Sequence, residues 1–289
     1  MTLIAILVAL GVERLLGQLA GWGRPVIYLA YVRGALAIPI PLLWRSVLAP
    51  WVLVLAPVAL VWWLVDLLAN PFLQLFASSI VLLLCLGPRD LADDVQRLLE
   101  ARARGDDAQM QQLTRALQMG PQPEPSHRSL IGALFIQSHE RLFSVLLWYF
   151  AFGAAGALAY RLASRLPRML QELQPDSPAV RSAELLHNVL AWLPARLTAL
   201  IFGLAGSLDD ALKEWWKLMT GPVGGDWRAR TWAILAEVSA ASLRMEEPDG
   251  SAFVPATLDA CLAEVLRMQW RAALLLLALF AWFFVGTIL

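Results

Sequence analysis

Two neighbouring apolar stretches decide the fold: ERLFSVLLWYFAFGAAGALAYRLASRLPRMLQ (residues 140–171) and AELLHNVLAWLPARLTALIFGLAG (183–206). Both have membrane length, because a helix needs about 20 mostly apolar residues to cross a bilayer. They nevertheless contain charged and polar side chains, which are Glu140, Arg141, Arg161, Arg165, His187, Asn188 and Arg196. A charge in hydrocarbon is costly and is usually retained for a partner or a function. We therefore expect the functional residues of the chain in these stretches.

The composition of the 289-residue chain is that of an integral membrane protein. Hydrophobic residues make up 59% of it, above the share typical of soluble domains, and the mean hydropathy is +0.61. The formal net charge of zero gives no basis for a nucleic-acid partner. The two cysteines have no metal-ligand spacing, and no phosphate-loop, dinucleotide or zinc motif is visible. The sequence therefore predicts neither a metal nor a cofactor.

The order of apolar segments predicts an all-α, polytopic membrane bundle of about four to six passes with amphipathic cytoplasmic helices. No strand pattern is convincing. We divide the chain into N-terminal membrane helices and a hairpin (1–87), an amphipathic helical hairpin with a Pro-rich linker (88–128), charged central membrane helices (129–206), amphipathic helices and loops (207–267) and a C-terminal span (268–289). Within the first region, Asn70–Pro71 predicts a turn between two spans.

The distribution of arginine sets the expected topology. Residues 88–142 contain seven arginines, which predicts that this region lies in the cytoplasm. If 142–163 crosses the membrane once, the loop 164–188 faces outward and brings its arginines to the wrong side. One solution is that 142–206 forms a re-entrant or interfacial pair, which keeps these arginines inside.

The charged pairs near helix ends each have two interpretations. Glu13 and Arg14 are adjacent and point about 100° apart on a helix, so each needs its own partner. Arg141 and Glu140 are candidates for these partners; alternatively, both N-terminal side chains reach the lipid headgroups. Glu140 and Arg141 could themselves form an anion site with a titratable neighbour, or only anchor the start of a membrane helix.

Three arginines share one helical face: Arg161, Arg165 and Arg168 follow one another at spacings of four and three. Aligned cations can bind a phosphate or a phospholipid headgroup. The ordinary interpretation is a headgroup anchor.

The second stretch places Arg196 in an apolar segment two residues after Pro194. Proline frees a backbone carbonyl one turn earlier, which Arg196 or another helix could use. His187 and Glu184 are three residues apart, so a proton-linked pair is possible. Arg196 is either a functional donor or one member of a buried structural salt bridge.

Three strings resemble one membrane protein family. MTLIAILVALGVERLLG (1–17), SHERLFSVLLWYFAFGAAGALAYRL (138–162) and VLAWLPARLTAL (189–200) are similar to the AmpE branch of the CobD/CbiB-like proteins, and the resemblance extends from residue 1 to about 206. AmpE is an inner-membrane protein encoded beside the anhydromuramyl-peptide amidase AmpD. The CobD/CbiB branch joins an aminopropanol unit to adenosylcobyric acid through an amide bond.

The chain departs from the synthase branch at several acidic positions. After GALAYR the synthases read N-T-L-D, where this chain has Ser164, Arg165, Leu166 and Pro167. Before W-I-P-A-R-L the synthases have an Asp–Asp pair, which falls at His187–Asn188 in this chain. Their Glu–Asn pair falls at Ile136–Gln137, and the Asp that follows it falls at Glu140. The resemblance retains Glu13, Glu140, Pro194 and Arg196. These departures argue against a synthase activity.

The resemblance thus implies an AmpE-like accessory protein that modulates signalling between cell-wall recycling and β-lactamase induction, through a peptidoglycan-derived or phosphorylated small ligand. The expected ligand contacts are Glu13, Glu140, Arg141, Arg161, Arg165, His187 and Arg196. Besides the lipid bilayer, a protein partner could dock on the amphipathic cytoplasmic helices. The alternative function is an amide-forming synthase of the cobinamide type.

Overall fold

The computed structural model describes residues 2–16, 26–86, 91–119, 129–220, 227–243, 245–246, 252–253 and 257–286. Helices account for nearly all of them, which confirms the all-α class. One exception lies within the region 207–267, which we expected to hold amphipathic helices and loops. Met245–Glu246 (β1) and Ala252–Phe253 (β2) form a short antiparallel ribbon.

The α-helices follow one another along the described parts of the chain. They are α1 (Thr2–Leu16), α2 (Val26–Ala37), α3 (Pro41–Trp44), α4 (Ala49–Asp66), α5 (Pro71–Leu86), α6 (Leu91–Arg104), α7 (Asp107–Gln118), α8 (Leu130–Ser138), α9 (Ser144–Leu173), α10 (Pro178–Ala205), α11 (Leu208–Thr220), α12 (Trp227–Ala233), α13 (Ser239–Ala241) and α14 (Leu258–Gly286). Two π-helical turns interrupt them: π1 (His139–Phe143) joins α8 to α9, and π2 (Ile234–Val238) joins α12 to α13.

Five helical segments in the described part of the chain are long and apolar enough to cross a membrane. They are Ala49–Asp66, Pro71–Arg104 (whose apolar part is α5), Leu130–Leu173, Pro178–Ala205 and Leu258–Phe283. Large apolar side chains on these segments remain exposed, as lipid-facing side chains do. The chain is therefore a multi-pass membrane protein.

The predicted hairpin at Asn70–Pro71 is present between α4 and α5. The Asn70 carboxamide oxygen accepts the Phe72 backbone N–H at 2.8 Å, which starts α5. Because the two helices are antiparallel, the first residues of α4 and the last residues of α5 lie at one end of the hairpin. We call this the open end.

Helix α9 doubles back on itself, so residues 142–163 do not form the single straight span that we expected. A straight helix would separate residues 140 and 160 by about 30 Å. Instead, the Tyr160 hydroxyl donates a hydrogen bond to the Glu140 carboxylate. The turn lies at Phe152 and Gly153, where the backbone leaves the helical region and Gly153 has φ +63°. Residues 144–151 and 154–173 are therefore two antiparallel arms.

The structure separates into two compact units by its internal contacts. The first comprises α1 to α5, the chain from Glu140 through α9, and α10 as far as Ala191. The second comprises α6 to α8 and the chain from Trp192 onward.

Packing in the core of the first unit positions the second arm of α9. Its residues Leu162 to Leu170 pack with α2, with the start of α4 and with the start of α10. The Tyr28 hydroxyl donates to the Leu162 carbonyl at 3.3 Å, and burial raises the pKa of Tyr28, so the phenol stays neutral. The Ser182 hydroxyl donates to the Val47 carbonyl at 2.6 Å. The turn between α9 and α10 therefore belongs to the open end of the first hairpin.

The second unit contains the amphipathic helices. The expected hairpin of α6 and α7 is present, and the Asp106 carboxylate caps α7 by accepting the Gln109 backbone N–H at 2.9 Å. Helix α8 packs on π2, with Gly132 against Ala236. The Arg102 guanidinium forms an ion pair with Asp259 at 2.7 Å.

Candidate functional site

Glu140 is the centre of a buried polar cluster in the first unit. Its Oε1 accepts the Tyr160 hydroxyl proton and lies 3.1 Å from His187 Nε2, which donates in the tautomer protonated at that nitrogen. His187 is fully buried, whereas the Glu140 side chain retains 9% of its surface. A carboxylate, a phenol and an imidazole in this arrangement can hold a proton and pass it on. We call these three residues the Glu140 cluster.

Three separate elements hold the Glu140 cluster together. The π1 turn supplies Glu140, the second arm of α9 supplies Tyr160, and α10 supplies His187. A π-helical turn inserts one residue into the helical repeat and re-aims the side chains, and such turns are frequent at functional sites. The doubling back of α9 is what brings Tyr160 to Glu140. The cluster therefore depends on the turn at Gly153.

Arg161 attaches the cluster to the end of α5. Its Nη2 donates to the Leu86 carbonyl at 3.0 Å, and its Nη1 donates to the Glu140 carbonyl at 3.3 Å. Leu86 is the last described residue of α5. The Arg161 Nε is buried and has no hydrogen-bond acceptor among the described residues. Arg161 thus links the backbone of α5 to that of π1 and is a cation beside Glu140.

Pro194 contributes to the placement of His187 through the carbonyl that it frees. Leu190 lies four residues before Pro194, and its carbonyl accepts the indole N–H of Trp148 at 3.1 Å. This confirms that another helical segment uses the freed carbonyl. The bond ties the first arm of α9 to α10 one turn away from His187.

Close approach of the two α9 arms requires a glycine at position 156. A Cβ there would lie 2.3 Å from the Trp148 carbonyl oxygen, closer than real Cβ atoms come. Residues 148 and 156 would be about 12 Å apart in a straight helix. Gly156 therefore lets the arms pack at backbone contact.

The other expected site residues are distributed more widely. Arg165 lies one turn beyond Arg161 and close enough for the two cations to repel. Arg141, in π1, is half-buried. The side chain of Glu13 lies outside the described residues, so its expected pairing stays a prediction.

Arg196 belongs to the second unit. Its Nη1 donates to the Trp192 carbonyl at 2.9 Å and to the Thr231 hydroxyl at 3.4 Å. The guanidinium also stacks on the Trp192 ring, with Cζ 4.2 Å from the ring centroid. These contacts hold Arg196 along α10.

Two groups lie outside the expected site residues. Tyr160 falls within the string GALAYR, and its role depends on the α9 turn. In the second unit, the fully buried His139 contacts the Thr198 hydroxyl through Nδ1 at 2.9 Å and lies edge-on to Trp232. Among the described residues, no three His, Cys, Asp or Glu side chains are grouped to hold a metal ion.

Comparison with known proteins identifies the family. The family profile described as CobD/Cbib protein matches residues 6–236, which is more than half of the chain. The chain belongs to the CobD/CbiB family. All three members of the Glu140 cluster lie within the matched residues.

Two similar proteins are both named for cobalamin biosynthesis. The cobalamin biosynthesis protein CobD of Chromobacterium violaceum is 31% identical over 229 residues, covering 72% of this chain and 70% of the relative. The protein of the same name from Stutzerimonas stutzeri is 26% identical over 178 residues, covering 60% of this chain and 58% of the relative. No solved structure matches.

These relatives correct the expected function. The resemblance to the CobD/CbiB family is confirmed, but the AmpE-like role in β-lactamase signalling is wrong, because the relatives are named for cobalamin biosynthesis. The replacement of acidic residues at the synthase positions does not exclude a cobalamin-biosynthesis role. A charged or polar replacement can keep a site polar, as His187 does beside Glu140.

Proposed function

We propose that the chain is a cobinamide-type synthase, which forms an amide bond between a carboxyl group of a corrinoid and the amine of an amino alcohol. The observation that carries the proposal is the Glu140 cluster, a buried carboxylate with two proton-bearing neighbours inside the region matched by the CobD/CbiB family. The names of the two relatives support the corrinoid pathway.

The reaction needs a neutral amine and an activated carboxyl group. Aliphatic amines are protonated at neutral pH, so a base must remove one proton before the nitrogen attacks. A free carboxylate is a poor acyl donor; a nucleoside triphosphate is the class of co-reactant that phosphorylates one of its oxygens, which gives an acyl phosphate and releases the nucleoside diphosphate. The neutral amine then attacks the acyl carbon, the N–C bond forms, and the C–O bond to phosphate breaks with release of inorganic phosphate. The proton that the nitrogen loses passes to the base.

Glu140 is the candidate base in this scheme. Its side chain retains 9% of its surface whereas that of His187 retains none, so we assign the contact with the ammonium group to Glu140. A bound ammonium also pairs electrostatically with the carboxylate. His187 and Tyr160 hold the carboxylate in one orientation and can share the proton that it accepts.

Arg161 is the candidate contact for an anionic group of either substrate. Its two Nη groups are fixed by backbone carbonyls, while the Nε–H remains as a donor among the described residues. Because these hydrogen bonds already fix the guanidinium, it binds an added anion without losing further side-chain entropy. We place the enzyme in the bacterial inner membrane, with the cluster near the open end of the α4–α5 hairpin.

The test is turnover by purified protein in detergent. The corrinoid acid, the amino alcohol and Mg–ATP are incubated with wild-type protein, and mass spectrometry reads the corrinoid amide. Glu140→Gln keeps a hydrogen-bond acceptor for Tyr160 but removes the base, so we expect a loss of about 100-fold or more. Glu172→Gln, an exposed position on α9, is the matched control and retains wild-type turnover.

A separate binding measurement keeps the outcome interpretable. A corrinoid that binds only the folded protein raises the melting temperature by mass action. Wild-type turnover by Glu140→Gln would refute the role of the carboxylate. Absence of both turnover and a corrinoid-dependent shift in the wild-type protein would refute the synthase assignment itself.

A further inference from the structure

Helix α11 presents an apolar stripe on the surface of the second unit. Its exposed apolar side chains follow one another at spacings of four, four and three, which puts them on one helical face. They are Leu208, Leu212, Trp216 and Met219. Trp216 is 66% exposed and Leu212 is 39% exposed, so no described residue covers them. We call this set the α11 stripe.

The α11 stripe is distinct from the face that packs in the core. Ala211 and Leu218 are the buried residues of this helix and lie on a different side. A third side carries exposed charges, at Asp209, Lys213 and Lys217. The helix thus has a core face, an apolar outer face and a charged outer face, in that order around its axis.

Two glycines set the direction of α11. A Cβ on Gly203 would lie 3.0 Å from the Ala211 Cβ, although eight residues of straight helix span about 12 Å. A Cβ on Gly206 would lie 2.1 Å from the Ser242 carbonyl oxygen, and the Ser207 N–H donates to the same oxygen at 2.9 Å. The chain therefore turns sharply after α10, and α11 does not continue the membrane-spanning direction of that helix.

The α11 stripe continues the exposed apolar surface of α10. Leu197 and Leu204 in the last turns of α10 are exposed, and Leu208 follows the turn at once. Since α10 is one of the membrane-length helices, its exposed apolar side chains face lipid. The stripe begins where that surface ends.

We propose that α11 is an interfacial helix, whose stripe inserts at the boundary between lipid headgroups and acyl chains. A helix with an apolar face, a charged face and tryptophan beside them binds a bilayer in this way. The two lysines of the chain are both on α11 and are paired with Asp209 and Glu214. The helix carries three acidic residues, Asp209, Asp210 and Glu214, against these two lysines, so its charges give no net attraction for anionic lipid. Burial of the apolar stripe therefore drives the contact. This surface is independent of the proposed synthase site.

The test places an environment-sensitive label on each outer face of the full-length protein. In a background of Cys85→Ala and Cys261→Ala, single cysteines replace Leu212 or Trp216 on the stripe and Asp209 or Lys213 on the charged face. Each variant is labelled with a nitrobenzoxadiazole fluorophore and reconstituted in nanodiscs of phosphatidylcholine and phosphatidylglycerol, so that both membrane faces are open to water. Quenching by doxyl-labelled lipid and by aqueous iodide is then compared.

We expect lipid quenching of the stripe labels to exceed that of the charged-face labels by about twofold or more, with the reverse order for iodide. Equal iodide access at all four positions would overturn the proposal, because the stripe would then lie in water. Protection of the stripe from both quenchers would also overturn it, since a protein surface would then cover the stripe.

Discussion

The chain contains two helical hairpins that are built in opposite ways. The hairpin of α4 and α5 turns at Asn70–Pro71, exposes apolar side chains along both arms and places few polar groups between them. The hairpin inside α9 turns at Gly153 without proline or asparagine, and its arms bring Tyr160 and Arg161 back to Glu140. The first is a lipid-facing scaffold and the second builds a polar site. Strong turn signals therefore mark the scaffold, whereas the charges inside apolar sequence mark the site.

The sharpest test of this contrast is the membrane side of the turn between α9 and α10. A straight α9 would carry residues 174–177 to the side of the α4–α5 turn. The doubled-back α9 carries them to the open end, together with Arg165, Arg168 and Arg181. We therefore expect Asp176→Cys to react with an impermeant maleimide from the same side as Arg45→Cys, and Ala69→Cys to react only from the other side.

The measurement uses intact cells and inverted vesicles with the cysteine-free background. The expected contrast is all or none, because impermeant reagents do not cross the bilayer. Labelling of Asp176→Cys together with Ala69→Cys would rule out the hairpin. The expected result also resolves the conflict with the positive-inside rule, since these arginines then share a side with Arg45.

The fold class, the first hairpin and the amphipathic helices follow from the sequence because apolar length and helical period record them directly. The α9 hairpin does not, because glycine is common in membrane helices and a single one carries no turn signal. Charge placement did point to Glu140, Arg161 and His187, and it also raised a re-entrant 142–206 segment as an option. Tyr160 could not be found this way, since its partner is 20 residues distant and depends on the turn.

Gly156→Ala is the substitution that we expect to damage the second hairpin most. The added Cβ would overlap the Trp148 carbonyl oxygen and also lie 2.8 Å from the Phe152 Cβ, and the backbone cannot yield without separating the arms. A loss of more than about 4 kcal/mol in unfolding free energy is expected, at the upper end for single substitutions. Thermal unfolding in detergent measures it.

Gly34→Ala in α2 is the control for that experiment. A Cβ at Gly34 meets nothing within 4 Å, so alanine should stabilise by about 0.5–1 kcal/mol through its helix propensity. Equal melting temperatures for Gly156→Ala and Gly34→Ala would contradict the close approach of the arms.

Gly153→Ala should have a smaller effect on stability, because a Cβ has space there and only the backbone conformation at this position is unfavourable for alanine. A Cβ at Gly153 meets nothing within 4 Å, but φ +63° with ψ −151° is a region that only glycine occupies readily. The expected cost is about 1–3 kcal/mol. Turnover is the second readout, since the turn positions Tyr160 and Arg161 against Glu140. A variant with lower stability but unchanged turnover would separate the turn from the site.

Trp148→Phe should have the smallest effect, and its cause can be isolated. It removes the indole N–H that satisfies the Leu190 carbonyl, at a cost of about 1 kcal/mol. Pro194→Ala supplies a backbone N–H for the same carbonyl, because the residue four positions later then donates within the helix. Trp148→Phe should therefore cost less unfolding free energy in the Pro194→Ala background than in the wild-type protein. A double-mutant cycle measures this difference. Additive losses would mean that Trp148 acts through ring packing, such as its stacking on Phe152, rather than through the carbonyl that Pro194 frees. A coupled result would show that one proline and one tryptophan fix α10 beside the first arm of α9, at the level where His187 meets Glu140.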